Sequence, residues 1–281
     1  MPMILYSPAK INIGLRVTEK RGDGFHNLQS VMFPVGLCDL IEIMKEEGLD
    51  GKISLTRSGI PAGIPADRDL CFLAFERYTA INPLPPVHLH LHKQIPVGAG
   101  LGGGSSNAST TLKGLNMLAE DPLPEEKLRQ LAESLGSDCP FFLSRGAMMM
   151  EGRGEILAPV DLNLGRMYLV LLHPGIHIST AEAYGQISPA RPEKHLGTLI
   201  RQPPGKWKGL VKNDFEIPAF QKYPELKEMK EGLYNAGAVY ASMSGSGSSL
   251  YGFFRKPPAL PGELDRLVIW RGDAGASLTG F

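Results

Sequence analysis

The stretch IPVGAGLGGGSSNAST, residues 95–110, decides how this chain is read. It sets Gly98, Gly100, Gly102, Gly103 and Gly104 after a proline. Behind them Ala108, Thr111, Leu112, Leu115 and Leu118 recur at helical spacing. Just upstream, VHLHLHK (87–93) alternates as a strand does. The local order is therefore strand, glycine loop, helix, with Ser105 and Ser106 expected to cap the helix start. A helix's first turn has N–H groups without internal partners and carries partial positive charge, and glycines let an anion reach that backbone without a Cβ in the way. Five glycines exceed what a sharp turn needs, so a polyphosphate is the expected occupant. The stretch has no GxxxxGK[ST] lysine, and DPLPEEKLRQLAESLG (121–136) reads as helix, not as the second strand of a dinucleotide-binding unit.

Outward from the loop, the strand before it puts His88, His90 and His92 on one face. Zinc needs nitrogens converging at about 2 Å, whereas same-face strand residues project in parallel about 7 Å apart, so a solvated strand face is expected there. From Met3 to Thr56 short β-type runs (INIGLRV, SVMFPV, DLIEIM, KISL) predict a meandering sheet. DLCFLAFERYTAI (69–81) predicts the first helix.

Several other segments invite a functional reading. In LGSDCPFFLSRG (135–146), Asp138 follows a helix ending near Gly136; on its residues alone it reads as an N-cap ahead of Pro140, Phe141 and Phe142, and otherwise as a carboxylate set beside an apolar wall. RGDGFHN (21–27) is a turn with Phe25 and His26 at its exit. MSGSGSS (243–249) is a second glycine-rich turn between strand-like AVYAS and LYGFF, while EGRGE (151–155) reads as a structural turn with no ligand. PAKIN places Lys10 between Ala9 and Ile11 on a short strand, with Asn12 sharing its face.

The whole chain has 281 residues, more than one small core usually organises, so two lobes about a cleft are expected. Its 29 acidic and 29 basic residues balance, which removes the electrostatic footprint of a nucleic-acid or membrane-surface partner and favours a small molecule. Cys38, Cys71 and Cys139 lie apart with no CxxC pair, and neither a signal-type N-terminus nor a bilayer-long apolar run is seen; a reduced, cytoplasmic protein is expected, monomer or homodimer.

The run from Pro96 to Ser106 resembles the signature of the superfamily of galactokinase, homoserine kinase, mevalonate kinase and phosphomevalonate kinase, the GHMP kinases. SPAKINIGL, GDGFHNLQSV, GSDCPFF, VKNDFE and MSGSGSSLYG add the order found in its 4-diphosphocytidyl-2-C-methyl-D-erythritol kinase family. The resemblance implies a two-lobed α+β fold: an N-terminal lobe like domain 2 of ribosomal protein S5 over 1–160, a C-terminal α/β lobe over 161–281, and ATP in the cleft. It implies ATP-dependent phosphorylation of the cytidylated methylerythritol at its 2-hydroxyl, with Asp138 as general base and Lys10 supporting it. For ATP it points to Lys93 with Pro96, Val97, Gly98, Ala99, Gly100, Leu101, Gly102, Gly103, Gly104, Ser105 and Ser106; for the acceptor, to Asn12, Phe25, His26, Thr180 and Tyr184. Mg²⁺ is expected with the phosphates, without a dedicated protein metal site, Ser105 or Ser106 being the nearest candidates. Phe25 stands where relatives usually carry Tyr, and Asp69 where Asn is commoner. The rival readings are a kinase for another small alcohol, of homoserine or mevalonate type, and a non-catalytic nucleotide sensor.

Overall fold

The computed structural model describes residues 2–46, 48, 49, 52–162, 164 and 166–275. Its opening hairpin pairs β1 (Met3–Lys20) with β2 (His26–Lys45), antiparallel across the RGDG turn. The meander expected from Met3 to Thr56 is thus two long strands followed by a third, at Ile53–Gly59. Register shifts at Pro8/Ala9 and Ile13/Leu15 bend β1 without ending it, because a bulge absorbs an extra residue while pairing resumes beyond it. Local punctuation by proline and glycine therefore marks bends here, where a window of sequence reads ends.

β3 (Ile53–Gly59) is followed by α1 (Leu70–Thr79), and β4 (Val87–Lys93) then runs parallel to β3 and antiparallel to β2. After the glycine loop come α2 (Gly103–Leu118), α3 (Glu125–Leu135), the short α4 (Cys139–Leu143), and the hairpin β5 (Met148–Gly152) to β6 (Ile156–Pro159). The sheet order is β3-β4-β2-β5-β6, with β1 also paired to β2. Ile41, Ile43 and Leu89 of this sheet pack with Phe75 of α1 and with Leu112 and Leu115 of α2, burying the apolar stripe that the helical spacing announced. On β4, the three histidines form a ladder with the hydroxyls of β3: His90 bonds Thr56 and Ser58, both at 2.8 Å, His92 bonds Ser58 at 2.9 Å and His88 bonds Thr56 at 3.2 Å.

The second sheet comprises β7 (Tyr168–Leu172), then, after α5 (Thr180–Gly185), α6 (Leu196–Ile200), α7 (Glu216–Lys222) and α8 (Pro224–Asn235), β8 (Tyr240–Met243) and β9 (Leu250–Phe254). Past α9 (Gly262–Asp265), β10 (Val268–Asp273) closes the antiparallel order β10-β7-β9-β8. Between the sheets lies a shared core in which Ile11, Ile13 and Phe33 of the hairpin meet Leu169, Trp207, Tyr251 and Phe253. Phe33 meets Phe253 edge-on, with ring centroids 6.4 Å apart, an orientation that aromatic quadrupoles favour. Among the described residues no helix is long and apolar enough to cross a membrane.

Candidate active site

Strand alternation sorts the middle of β1 into two duties. Ile11 and Ile13 face the shared core, and Lys10 and Asn12 project to the opposite side. The Lys10 ammonium is almost fully buried, so it needs partners. It donates to Asn12 Oδ1 and, at 3.2 Å, to the carbonyl of Gly100, and it lies 3.5 Å from Asp138 Oδ2. Asn12 is fixed in turn, donating from Nδ2 to Ser30 Oγ at 2.8 Å.

Asp138 does occupy the N-cap position of α4, yet its carboxylate makes no capping hydrogen bond. About a third of that side chain is open to solvent and it faces Lys10. Of the two readings its sequence allowed, the geometry matches a carboxylate directed at the cleft.

The glycine loop wraps this pair from the other side. Gly102 is the N-cap of α2 in the left-handed region (φ +69°), and no side chain caps the helix. Ser105 and Ser106 therefore lie inside the first turn and, against the expectation from their residue type, do not cap it. Ser106 is fully buried and accepts from Ser7 Oγ at 2.8 Å; Ser105 is half-buried. A Cβ on Gly102 would come within 3.0 Å of the Phe142 ring and 3.1 Å of Lys10 Cγ, so the loop and the lysine can approach only through glycine. MSGSGSS leans on the loop directly: Ser244 Oγ donates to the Gly100 carbonyl at 2.8 Å, and Ser249 N to Ala99 at 3.2 Å. The VKNDFE segment holds that turn, with Asn213 Nδ2 donating to the carbonyls of Met243 and Gly245, each at 2.8 Å.

Two cavities lie near these residues, one along the loop and one beside Ser137 and Pro140, which flank Asp138 in the chain. One, of about 330 Å³, runs from Pro96 to Ser105 along the loop and is walled by Ile64, Leu70 and Leu91. Lys93 and Asp69 also border it. The Lys93 ammonium is turned inward, paired with the fully buried Asp39 and 3.0 Å from Asn107 Oδ1. Asp69 caps α1 through Cys71 N at 2.9 Å and pairs with Arg57 at 3.3 Å.

The other cavity, about 980 Å³, gathers Phe25, His26 and Tyr184. His26 and Tyr184 stack with centroids 5.1 Å apart, and Phe215 meets the Tyr184 ring edge-on at 4.9 Å. Burial, with the Asp138 charge adding to it, pushes the Tyr184 phenol up to about 12, so it remains a hydrogen-bond donor. Ser179 caps α5 by accepting from Glu182 N at 3.1 Å; the Thr180 side chain lies outside the described residues.

Two contributors escaped the sequence reading. Asp39 receives Gln94 N at 2.7 Å, Ile95 N at 2.8 Å and Asn107 Nδ2 at 2.8 Å, so one carboxylate fixes the chain where it leaves β4 for the glycine loop. Its only trace was a single acid opening the apolar run DLIEIM. The EGRGE segment does form the hairpin turn between β5 and β6, but Arg153 and Glu155 also line the larger cavity, and the Arg153 guanidinium lies 4.9 Å above the Phe25 ring.

The Lys10–Asp138 pair beside the glycine loop agrees with what sequence comparison finds. The GHMP kinases N terminal domain matches residues 69–146, and the GHMP kinases C terminal domain matches 200–280. The 4-diphosphocytidyl-2-C-methyl-D-erythritol kinase of Azobacteroides pseudotrichonymphae is 44% identical over 91% of this chain and 94% of its own length. The chain belongs to that kinase family. A crystal structure of 4-(cytidine 5'-diphospho)-2C-methyl-D-erythritol kinase superposes with a TM-score of 0.76 at 32% identity, covering 91% of each chain. The mevalonate kinase of Methanococcus jannaschii, at 14% identity with a TM-score of 0.67 over 95% of this chain and 93% of its own, shares the fold. The chain is thus a kinase of two-lobed GHMP architecture, with ATP as co-substrate and a small molecule as acceptor.

Proposed function

We propose that the chain transfers the γ-phosphoryl group of ATP to the 2-hydroxyl of 4-diphosphocytidyl-2-C-methyl-D-erythritol, in the non-mevalonate route to isoprenoid precursors. The observation that carries the mechanism is the position of Lys10, within reach of the Asp138 carboxylate and of the Gly100 carbonyl in the phosphate loop. One buried cation ties the base to the loop.

Phosphoryl transfer asks the protein mainly for alignment and charge stabilisation. The first-turn N–H groups of α2 and the loop from Pro96 to Ser106 bind the phosphates. Asp138 takes the acceptor's hydroxyl proton as the oxygen bonds to the γ-phosphorus and ADP leaves with the former bridging oxygen. Lys10, 3.5 Å from the carboxylate, holds it in position beside the loop. Lys93 acts at one remove, anchoring the loop through Asp39, and Asn12 holds Lys10 in place. The oxygen donors at the cleft, the half-buried Ser105 hydroxyl and the Asp138 carboxylate, are of the kind Mg²⁺ accepts. Mg²⁺ would supply charge neutralisation between the β- and γ-phosphates, held chiefly by those phosphates, water and Ser105.

Phe25, His26 and Tyr184 favour a cytidine-linked acceptor over homoserine or mevalonate, since flat rings and an imidazole suit a nucleobase and have no use for a small aliphatic acid. Unlabelled cytidine diphosphate should then inhibit competitively against the acceptor and non-competitively against ATP. Absence of that inhibition, or competition against ATP alone, would remove the cytidine assignment while leaving a kinase.

A further inference from the structure

A third cavity, of about 330 Å³, lies between α2, α4 and the first residues of β1. Ile4, Tyr6, Met117 and Phe142 give it apolar walls; Lys113 and Arg145 are its charged residues, and neither Asp nor Glu lines it. The rim is open, with Ile4, Tyr6 and Met117 each more than half exposed. Neither the exposed Arg145 nor the half-buried Lys113 forms an ion pair among the described residues, so the charge on this apolar surface is left without an acid beside it. Burial, with repulsion from Arg145 adding to it, pulls the Lys113 ammonium below its ordinary value. Lys113 donates instead to the carbonyl of Phe142 at 2.7 Å, in the last turn of α4.

We propose that this cavity is a second ligand site that takes a small amphiphilic anion, an alkyl phosphate with its hydrocarbon body on Ile4, Tyr6 and Met117 and its head group between Lys113 and Arg145. The walls supply apolar contact and the two cations that line the cavity fix the orientation, the division of labour expected of a small-molecule pocket. Guanidinium and ammonium together match a phosphate head better than a single carboxylate.

The site is built into the catalytic frame at both ends. Lys113 belongs to α2, whose first turn borders the glycine loop, and its hydrogen bond holds the far end of α4, whose N-cap is Asp138. Phe142 forms a wall of the cavity and also lies against Gly102. A phosphate head that draws the Lys113 ammonium away from the Phe142 carbonyl releases the helix that carries Asp138. Occupancy should therefore lower kcat and leave KM for ATP in place.

The test is calorimetric titration of n-hexyl phosphate into the full chain, beside inorganic phosphate and n-hexanol, with wild type, Arg145→Gln and Lys113→Gln. Hexyl phosphate should bind more tightly than either half-ligand, and each substitution should weaken it by about tenfold or more, as loss of one charge-assisted contact implies. Arg145 is exposed and outside the catalytic machinery, so Arg145→Gln should keep wild-type melting and basal turnover even if Lys113→Gln folds poorly. Unchanged affinity in Arg145→Gln, or displacement of hexyl phosphate by a non-hydrolysable ATP analogue, would overturn the proposal. So would binding only to vesicles containing phosphatidic acid, which would make the face a membrane contact. The titration reads binding directly and stands apart from the identity of the phosphoryl acceptor.

Discussion

Lys10 and Asp138 show how little of a side chain's duty is written beside it. Asp138 stands where an N-cap belongs, and a sequence window cannot tell a capping carboxylate from one turned to a cleft, because the deciding partner is 128 residues away in the chain and 3.5 Å away in space. Asp138→Asn should lower kcat by about 10²- to 10⁴-fold, the usual span for a general base, with ATP affinity nearly unchanged in equilibrium titration. Lys93 was expected at the base of ATP on resemblance alone. Its buried pairing with Asp39 makes it an anchor, and breaking such a pair leaves an uncompensated charge in the interior. Lys93→Met should cost about 3–5 kcal/mol in urea unfolding; a loss below about 1 kcal/mol, the range of exposed pairs, would contradict the anchoring role.

At the scale of elements, the strand, glycine loop and helix from Val87 to Leu118 could be read directly, because a period of two, a run of glycines and a helical stripe are local signals. The opening hairpin could not. Bulges let β1 and β2 continue through positions that look like ends, and only the partner strand reveals the continuity. The contact between the two glycine-rich turns is equally non-local. A Cβ on Gly100 would lie 2.2 Å from the Ser244 carbonyl oxygen, and Gly100 also sits at φ +78°. Gly100→Ala should therefore push the MSGSGSS turn off the loop, adding about 1–2 kcal/mol of left-handed backbone strain to the clash. A lower melting temperature and a higher KM for ATP are expected. Wild-type values for both would show that the turns do not depend on each other.

Across the whole molecule, the two sheets meet through one apolar seam and a few polar ties, such as Tyr251 donating to the Asn12 carbonyl at 2.8 Å. A two-lobed fold is inferred from chain length and resemblance; that the seam is built of fully buried apolar side chains follows only from which faces of β1 and β2 are apolar once their register is known. Trp207 is buried in that seam and Trp270 packs against it, so tryptophan fluorescence and the far-ultraviolet circular dichroism should lose native signal at one temperature. Two separated transitions would mean lobes that fold independently.

The same geometry makes the acceptor the sharpest question for the molecule as a whole, since fold is shared with kinases of quite different alcohols. The most direct measurement is phosphoryl transfer from ATP, with Mg²⁺, to the cytidylated methylerythritol, to homoserine and to mevalonate, run in parallel with wild type and Asp138→Asn. Transfer to the cytidylated acceptor alone, collapsing in the mutant, is the predicted result; transfer to either of the other alcohols, or turnover that survives loss of the carboxylate, would contradict it.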